Sequence, residues 1–408
     1  MADDTNAEDL FPIDQLPDPA LGLADTELKP EAWHKPRKQW IRKEQWGRLV
    51  NDLLTELNLQ SMPFRYLTLP GKHLFDVRHL HDVCAARKTW LQYLGFDISR
   101  KGDARISVSE HEVRSLPYIH GDSLLLADRL ENLAGPEPGS VALSHARKLK
   151  SFDAVNLDLC NSVASPRTNA NNSSLAAIGK LIQLQADGRT DPWLLFVTTR
   201  ASRESVDSEV MQKLLAVLQA NLQQHDRFRT SVADGQLFEA RHIEDECNGQ
   251  PSLLAPEFIH AFGIGFCKWL LQLARSNWAV KQEISACYRV STDTPDMLSL
   301  AFRCERCSVP VVDPNKVVTL QPLRRASTIP SEIDLELGFL ERFNDLVDVD
   351  QLLHRDEALR EQMIVENANL MSLARFSRDQ MINWGRSVCW KPPEQAFAQG
   401  QSEETAHA

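Results

Sequence analysis

Residues 151–160 have the sequence SFDAVNLDLC, an apolar run that ends in an aspartate and a cysteine. Three other runs have the same character: FRYLTL at 64–69, LQYLGF at 91–96 and WLLFVTT at 193–199. Parallel strands that are buried on both faces read as continuous apolar runs, so each segment is predicted to be a strand. Ligands of such sheets bind at the carboxyl ends of the strands. The four runs therefore predict an α/β sheet with a binding site at one edge.

Further segments complete the predicted sheet. Helical patterns alternate with the strands, and a weaker third strand is predicted at Gly121–Leu126. Two β-rich runs, Trp278–Val290 and Asp296–Cys304, are separated by the turn segment 291–295. Such a short connection imposes antiparallel pairing, so these runs predict a hairpin at the end of the sheet.

This order of strands and terminal carboxylates resembles the class I S-adenosylmethionine-dependent methyltransferase fold. That fold is α/β, with a Rossmann-like, mostly parallel seven-stranded sheet and a terminal β-hairpin. Here the resemblance covers about residues 62–308, and an N-terminal arm and a helical C-terminal extension lie outside it. It implies S-adenosylmethionine as the cofactor and methyl transfer as the activity.

The resemblance also implies which residues bind the methyl donor. In the family, a glycine-rich loop after the first strand lets the backbone approach the methionine portion of the donor. This chain has only Pro70 and Gly71 there. Asp97, 26 positions after Gly71, takes the place of the acidic residue that accepts hydrogen bonds from both ribose hydroxyls, a task that suits a carboxylate. The alternative for Asp97 is a helix cap or turn residue.

The adenine contact has two candidates. Asp128 follows the third strand, where the family often places a carboxylate or amide against the adenine amino group. Asp122 is the alternative, because Gly121-Asp122 resembles the Gly-Asp that often precedes this contact. Either aspartate could instead belong to a surface turn.

Asp158 is the candidate for both cofactor binding and catalysis. At the end of the fourth strand it occupies the place of the family's aspartate that faces the transferring methyl group, and His73 is the other candidate base. A buried carboxylate is costly unless it is paired or hydrogen-bonded, which favours a site. The alternative is a helix cap, or an ion pair with Arg200 or Lys180.

Two kinds of nucleic-acid methylation lack sequence support. The Asp/Asn-Pro-Pro-aromatic sequence of amino-methylating enzymes is absent. A cysteine nucleophile acting on pyrimidine C5 would follow a proline, but Cys160 follows Leu159. The sequence therefore does not identify the methyl acceptor.

A basic, Trp-rich segment at residues 33–61 is the one candidate nucleic-acid interface. An amphipathic helix is predicted from Lys38 to Leu57. Cations next to tryptophans can make ionic and stacking contacts with a single strand, whereas the alternative is a solvated helix face. The residues proposed to contact nucleic acid are Lys35, Arg37, Lys38, Trp40, Arg42 and Lys43.

The remaining regions are predicted from composition. Residues 1–32 form an acidic, proline-containing arm that we expect to be disordered, and 392–408 a flexible tail. Two amphipathic helices, Glu332–Leu353 and Asp356–Trp384, are predicted within the helical extension at 309–391, which could bind a protein partner.

Composition excludes several classes. The chain has 408 residues, 43% hydrophobic and 25% charged, with a net charge of −11, which disfavours a surface coated with basic residues. No apolar run is long enough for a membrane span and the first thirty residues are acidic, so a cytoplasmic location without membrane contact is expected.

No metal site is predicted. Cys304 and Cys307 have the spacing of half a zinc site, and Cys287 could face Cys304 across the hairpin, but four ligands are needed. Asp76, His79 and Asp82 share one helix face, which is expected to be solvated.

Two functional hypotheses follow. The first is a methyltransferase-like protein that binds S-adenosylmethionine and acts on or binds nucleic acid. The second is a catalytically inactive methyltransferase fold serving as a nucleic-acid-binding or scaffolding subunit of a larger bacterial complex. A nucleotide-using Rossmann enzyme is disfavoured by the absence of Gly-x-Gly-x-x-Gly and Gly-Lys-Ser/Thr loops.

Overall fold

A computed structural model of the chain describes residues 28–57, 59, 62–135, 140–166, 173–290, 293–307 and 330–389. Its α-helices are α1 Pro36–Trp40, α2 Arg48–Glu56, α3 Phe75–Ala86, α4 Ala104–Arg114, α5 Val141–Leu149, α6 Ser174–Gly188, α7 Ser208–Gln224, α8 Asp226–Asp234, α9 Ala240–Cys247, α10 Ala255–Ala274, α11 Glu332–Asn344, α12 Val349–Arg355, α13 Glu357–Ser372 and α14 Arg378–Val388. Its strands are β1 Phe64–Thr68, β2 Leu91–Phe96, β3 Leu124–Leu126, β4 Ala154–Asp158, β5 Trp193–Arg200, β6 Trp278–Gln282, β7 Ala286–Tyr288, β8 Met297–Arg306 and β9 Val347–Asp348.

The strands form one sheet in the order β3-β2-β1-β4-β5-β8-β7-β9, and β6 also pairs with β8. Strands β1 to β5 are parallel, whereas β8 is antiparallel to β5, β6 and β7. The predicted mostly parallel, Rossmann-like sheet with antiparallel terminal strands is thus confirmed. The strand order reverses between β1 and β4, so a crevice opens at their carboxyl ends.

The hairpin differs from the prediction in one respect. Its first half is not one strand from Trp278 to Val290 but two, β6 and β7, and β9 adds a further strand, so the sheet has nine strands in the described part instead of seven. The side-chain amide of Gln45 donates hydrogen bonds to the carbonyl oxygens of Ile284 and Ser299, at 2.8 and 3.1 Å, and thereby anchors the N-terminal segment in the gap.

The core lies on both faces of the sheet because side chains alternate along each strand. Leu67 and Val155 face one side, where they pack with α5, α6, α7 and α10. Tyr66 and Ala154 face the other side, toward α1 to α3. The central strands are therefore apolar throughout, as the sequence runs indicated.

The predicted amphipathic helix from Lys38 to Leu57 is not one regular α-helix. It begins earlier, at Pro36, and the stretch Ile41–Gly47 between α1 and α2 is π-helical. A Cβ on Gly47 would lie 2.6 Å from Nε2 of His79 on α3. Glycine therefore lets this segment pack closely against α3, next to the carboxyl edge of the sheet.

The C-terminal region also differs from the prediction of two helices. Four helices, α11 to α14, are present, and β9 pairs with β7 at the sheet edge. Helix α11 packs on α8 and α10, while α13 packs on α1. These helices are therefore part of the packed body.

Two predictions concern residues outside the described ones: disorder in most of the arm at 1–32 and flexibility of the tail at 392–408. In the described part of the chain, no helix has both the length and the apolar character that crossing a bilayer would require.

Candidate functional site

A cavity of about 760 Å³ opens at the carboxyl edge of the sheet, at the point where the strand order reverses. Residues at or just after the carboxyl ends of β1 to β5 form one side of it, and residues from the segment Glu31 to Trp46 form the other. Its volume lies within the range of about 300 to 1,000 Å³ that is common for small-molecule sites.

All five residues predicted to bind the cofactor line this cavity. They come from four separate segments of the chain, which the parallel sheet brings together: Pro70 with Gly71, Asp97, Asp128 and Asp158. The structure therefore brings the predicted set together around one cavity.

Gly71 has a left-handed backbone, with φ of +63°. A Cβ added there would meet nothing within 4 Å of protein, so the backbone conformation, not crowding, requires glycine. Pro70 packs instead against Gly95 of β2. The turn that follows β1 is consequently tight and leaves room in the cavity.

Asp97 lies directly after β2. Its Oδ1 accepts a hydrogen bond from the backbone N–H of Ser99 at 2.8 Å, so it caps the short helical turn Ile98–Lys101. This is its one side-chain hydrogen bond to the residues that the structure describes. The carboxylate therefore has acceptor capacity left for a ligand while it also caps a helix, the alternative that the sequence left open.

Between the two adenine candidates, only Asp128 lines the cavity. Its Oδ1 accepts hydrogen bonds from the backbone N–H of Arg129 at 2.8 Å and from the side chain of Asn132 at 2.5 Å. Asp122 is 81% exposed and lies near His120. The cavity therefore favours Asp128.

Asp158 pairs with a cation that the sequence did not suggest. Its Oδ1 lies 2.5 Å from Nζ of Lys38, while Arg200 pairs with Asp296 instead. Burial lowers the pKa of Lys38, but Asp158 and Tyr288 raise it, and the net result is above the ordinary value. Lys38 is therefore a stable cation at neutral pH and cannot act as a base.

The basic Trp-rich segment does not form the exposed patch or solvated face expected from its composition. Four of its six predicted contact residues are buried, and Lys43 pairs with Glu366 at 2.6 Å. The buried four are Arg37, Lys38, Trp40 and Arg42. Their cations face the cavity because the segment folds over the sheet edge and is covered by the C-terminal helices.

Helices α12 and α13 hold this segment in place. Arg37 forms a buried ion pair with Asp350 at 2.7 Å. The side-chain amide of Asn367 donates a hydrogen bond to the backbone oxygen of His34 at 2.7 Å. Through these long-range contacts the C-terminal region fixes one wall of the cavity.

Several buried polar atoms of the cavity lining have no hydrogen-bond partner among the described residues. They come mainly from the N-terminal segment: Nη2 of Arg37, Nε of Arg42, Nε1 of Trp46 and Oδ1 of Asp76. Burying a polar group without a partner costs free energy, and such groups in native proteins call for an explanation such as a ligand. The cavity is therefore equipped for a polar ligand.

Three histidines near the cavity are neutral at pH 7. Burial lowers the pKa of His34 to about 3, and that of His73 and His79 to about 4. The rings of His34 and His73 pack with Phe75 and Phe376. Since the pKa of His73 is low, it is at best a weak base for an acceptor proton.

These histidines predict a fall in stability on acidification. The unfolded chain, with histidine pKa near 6.5, binds more protons than the folded one between about pH 4 and 6.5, so stability rises with pH across that window. Each group contributes at most about 1.4 kcal/mol per pH unit. Urea midpoints should fall from pH 7 to pH 5, and less so in His79→Gln. A midpoint that stays level or rises on acidification would contradict the buried neutral state.

The cysteines do not assemble as the sequence suggested. Cys287 lies opposite Leu298 and Cys304 opposite Val280, so Cys287 does not face Cys304. No group of three or more His, Cys, Asp or Glu in the described residues has a geometry that could hold a metal ion. Burial raises the pKa of Cys160, which disfavours its thiolate.

The face of α3 expected to be solvated is largely buried. Asp76 is buried and accepts hydrogen bonds from the hydroxyls of Tyr66, at 2.8 Å, and of Thr68. Only Asp82 is exposed. Asp76 therefore belongs to the cavity lining, a role that the sequence analysis missed.

Comparisons with known proteins give weak structural likenesses and one family. A protein from Listeria monocytogenes assigned to the class I S-adenosylmethionine-dependent methyltransferases has 12% identity and a TM-score of 0.32, with 73% of this chain and 70% of that one covered. StiE O-MT residues 961–1257 have 11% identity and a TM-score of 0.30, with 74% and 81% covered. Such low scores add nothing to the strand order described above.

No curated protein sequence matches the chain. The sequence model of one family, described as PP_RS20740-like, matches residues 26–386. That range includes all the strands and helices in the described part of the chain, apart from the last two residues of α14. The chain therefore belongs to the PP_RS20740-like family.

Proposed function

We propose that this chain binds S-adenosylmethionine in the cavity at the carboxyl edge of the sheet, as a methyltransferase-like protein. The observation that carries the proposal is the convergence of Gly71, Asp97, Asp128 and Asp158 on one cavity at the switch point of the sheet. These residues lie at or just after the ends of four different strands and at least 26 positions apart in the chain, so it is the fold that brings them together.

The residues present are chemically suited to this donor. The carboxylate of Asp97 would hold the ribose hydroxyls, and Asp128 would accept from the adenine amino group. The left-handed turn at Gly71 would accommodate the methionine portion. The partnerless polar atoms of the lining are consistent with a polar ligand of this kind.

When bound, S-adenosylmethionine supplies an electrophilic methyl group on a sulfonium centre. The protein's share of a transfer is mostly alignment of the two reactants, together with a group that takes up any acceptor proton. Asp158 forms an ion pair with Lys38, and His73 has a pKa of about 4, so neither is a strong base. An acceptor that needs no strong base therefore fits the site best.

One observation favours a second candidate, an inactive fold that retains the nucleoside pocket. The buried ammonium of Lys38 forms an ion pair with Asp158, the aspartate that the resemblance puts beside the methyl group. A fixed ammonium there disfavours a sulfonium ligand relative to an uncharged thioether. Under this candidate the site would bind the demethylated product or another nucleoside in preference to the methyl donor.

Calorimetric titration of the full chain with S-adenosylmethionine and S-adenosylhomocysteine tests the proposal. Saturable binding of either ligand with one site per chain is expected. The absence of heat for both ligands, confirmed by an unchanged melting temperature, would reject the cofactor assignment.

Lys38 predicts how the two ligands compare. Lys38→Gln removes the ammonium, so it should increase the affinity for the cationic donor relative to the uncharged thioether. The measurement is the ratio of the dissociation constants of S-adenosylmethionine and S-adenosylhomocysteine, compared between wild type and variant. Lys43→Gln, at a pair that is about one third exposed and outside the cavity lining, should leave the ratio unchanged. An equal ratio in wild type and Lys38→Gln would exclude an electrostatic role for Lys38 at the sulfur.

A further inference from the structure

Arg42 is a buried cation without an anionic partner. Its side chain lines the cavity and is only 6% exposed, yet it makes no ion pair and no side-chain hydrogen bond with the described residues. Buried charges are normally paired, because an isolated one costs several kcal/mol. The other two cations of this wall differ from it, since Arg37 pairs with Asp350 and Lys38 with Asp158.

The local environment keeps the donors of Arg42 available. Its guanidinium carbon lies 5.5 Å from the ring centroid of Phe75, a contact that stabilises the cation without using an N–H group. Burial lowers its pKa, while Asp158 and Asp76 raise it from beyond ion-pair distance. The guanidinium is therefore held beside the cavity without an ion-pair partner among the described residues.

Neighbouring donors on the same wall point to the same kind of ligand. Nη2 of Arg37 and Nε1 of Trp46 are also buried without partners. Aromatic rings lie beside these donors, with Arg37 5.6 Å from the ring centroid of Tyr288 and Lys38 4.9 Å from that of Trp46. The wall thus combines several N–H donors with aromatic rings packed beside them.

We propose that the wall formed by Arg37, Arg42 and Trp46 is a subsite for a small organic anion, a carboxylate on an apolar body, with Arg42 as its anchor. This proposal rests on the proposed function, because it assigns a second ligand to the cavity that is proposed to bind S-adenosylmethionine. A guanidinium binds a carboxylate through two parallel hydrogen bonds, which suits this residue. Because all three side chains are buried, the ligand is a small molecule and not a nucleic-acid strand.

Benzoate and inorganic phosphate are the probes, titrated by calorimetry into the full chain with and without S-adenosylhomocysteine. We expect saturable binding of benzoate, and weaker binding of phosphate and acetate. Arg42→Gln should reduce benzoate affinity about tenfold or more, as expected for a charged hydrogen bond. Arg48→Gln, an exposed arginine on the adjoining helix, makes the same charge change and should have no effect.

Stability controls separate loss of the subsite from unfolding. Arg42→Met removes an unpaired buried charge, so its melting temperature should equal or exceed that of wild type while benzoate binding is lost. Benzoate titrated without nucleoside reports on the subsite even when no nucleoside binds. Failure of the proposed function can therefore be distinguished from failure of the subsite proposal.

Four results would overturn the proposal. They are no saturable benzoate binding by wild type, undiminished binding by Arg42→Gln, tighter binding of phosphate than benzoate, and salt-dependent binding of a single-stranded oligonucleotide that Arg42→Gln abolishes. A fifth concerns the donor itself. If Arg42→Gln loses affinity for S-adenosylhomocysteine but keeps it for 5′-methylthioadenosine, which lacks the amino-acid part, Arg42 holds the carboxylate of the donor and the second-ligand assignment is wrong.

Discussion

Replacing Asp350 with alanine is expected to lower the free energy of unfolding by about 3 to 5 kcal/mol, the usual cost of leaving a buried charge without its partner. Asp350 and Arg37 are buried, with side chains 4% and 5% exposed, and Asp350 also accepts a hydrogen bond from the backbone N–H of Arg289 at 2.7 Å. Its loss would release the N-terminal wall of the cavity from α12. Urea unfolding at pH 7 gives the value.

A matched control is available at the neighbouring pair. Lys43 and Glu366 join the same segment to α13, but each side chain is about one third exposed. Exposed and half-exposed pairs contribute little, so Glu366→Ala should cost less than about 1 kcal/mol. If Asp350→Ala and Glu366→Ala unfold at the same urea concentration, the buried pair does not fasten the wall. Asp350→Asn keeps the shape of the side chain and should therefore lower the free energy of unfolding by less than Asp350→Ala does.

Asp97→Asn is expected to weaken binding of S-adenosylhomocysteine about 10- to 100-fold. The basis is the contribution of roughly 1.5 to 3 kcal/mol from hydrogen bonds to a charged acceptor. Asparagine caps helices as well as aspartate does, so the turn at Ile98–Lys101 should remain intact and the melting temperature unchanged. Calorimetry measures the affinity of both proteins.

Asp122→Asn serves as the control for this substitution. Asp122 is exposed and outside the cavity lining, so its neutralisation should leave the affinity as in wild type. Equal affinities of wild type and Asp97→Asn would remove Asp97 from the ribose site. A loss in Asp122→Asn instead would transfer the acidic role to that residue.

The central strands were predictable because they are buried on both faces. The runs at 64–69 and 91–96 match β1 and β2 within one residue, since a strand without a solvent face must be apolar throughout. The break between β6 and β7 was not predictable. Gln45 donates hydrogen bonds to Ile284 and Ser299 at this break, and such partners, 239 and 254 positions away, are not visible in the local pattern.

The aspartates at the strand ends of the cavity lining were predictable, whereas buried Asp76 and the basic residues were not. Carboxylates at strand ends converge in any parallel sheet, so Asp97 and Asp158 could be placed from the strand pattern. Arg37 and Arg42 lie in a charged run, which favours a solvated surface in most proteins. Arg37 is buried because Asp350, 313 positions away, supplies its counter-charge.

The central claim is that the cavity at the switch point is the nucleoside site, and a crystal structure of the chain with S-adenosylhomocysteine tests it most directly. The predicted result is a ligand in the cavity with both ribose hydroxyls on the carboxylate of Asp97 and the adenine beside Asp128. An empty cavity in crystals grown at a ligand concentration that saturates the protein in solution, or a nucleoside bound elsewhere, would contradict the account.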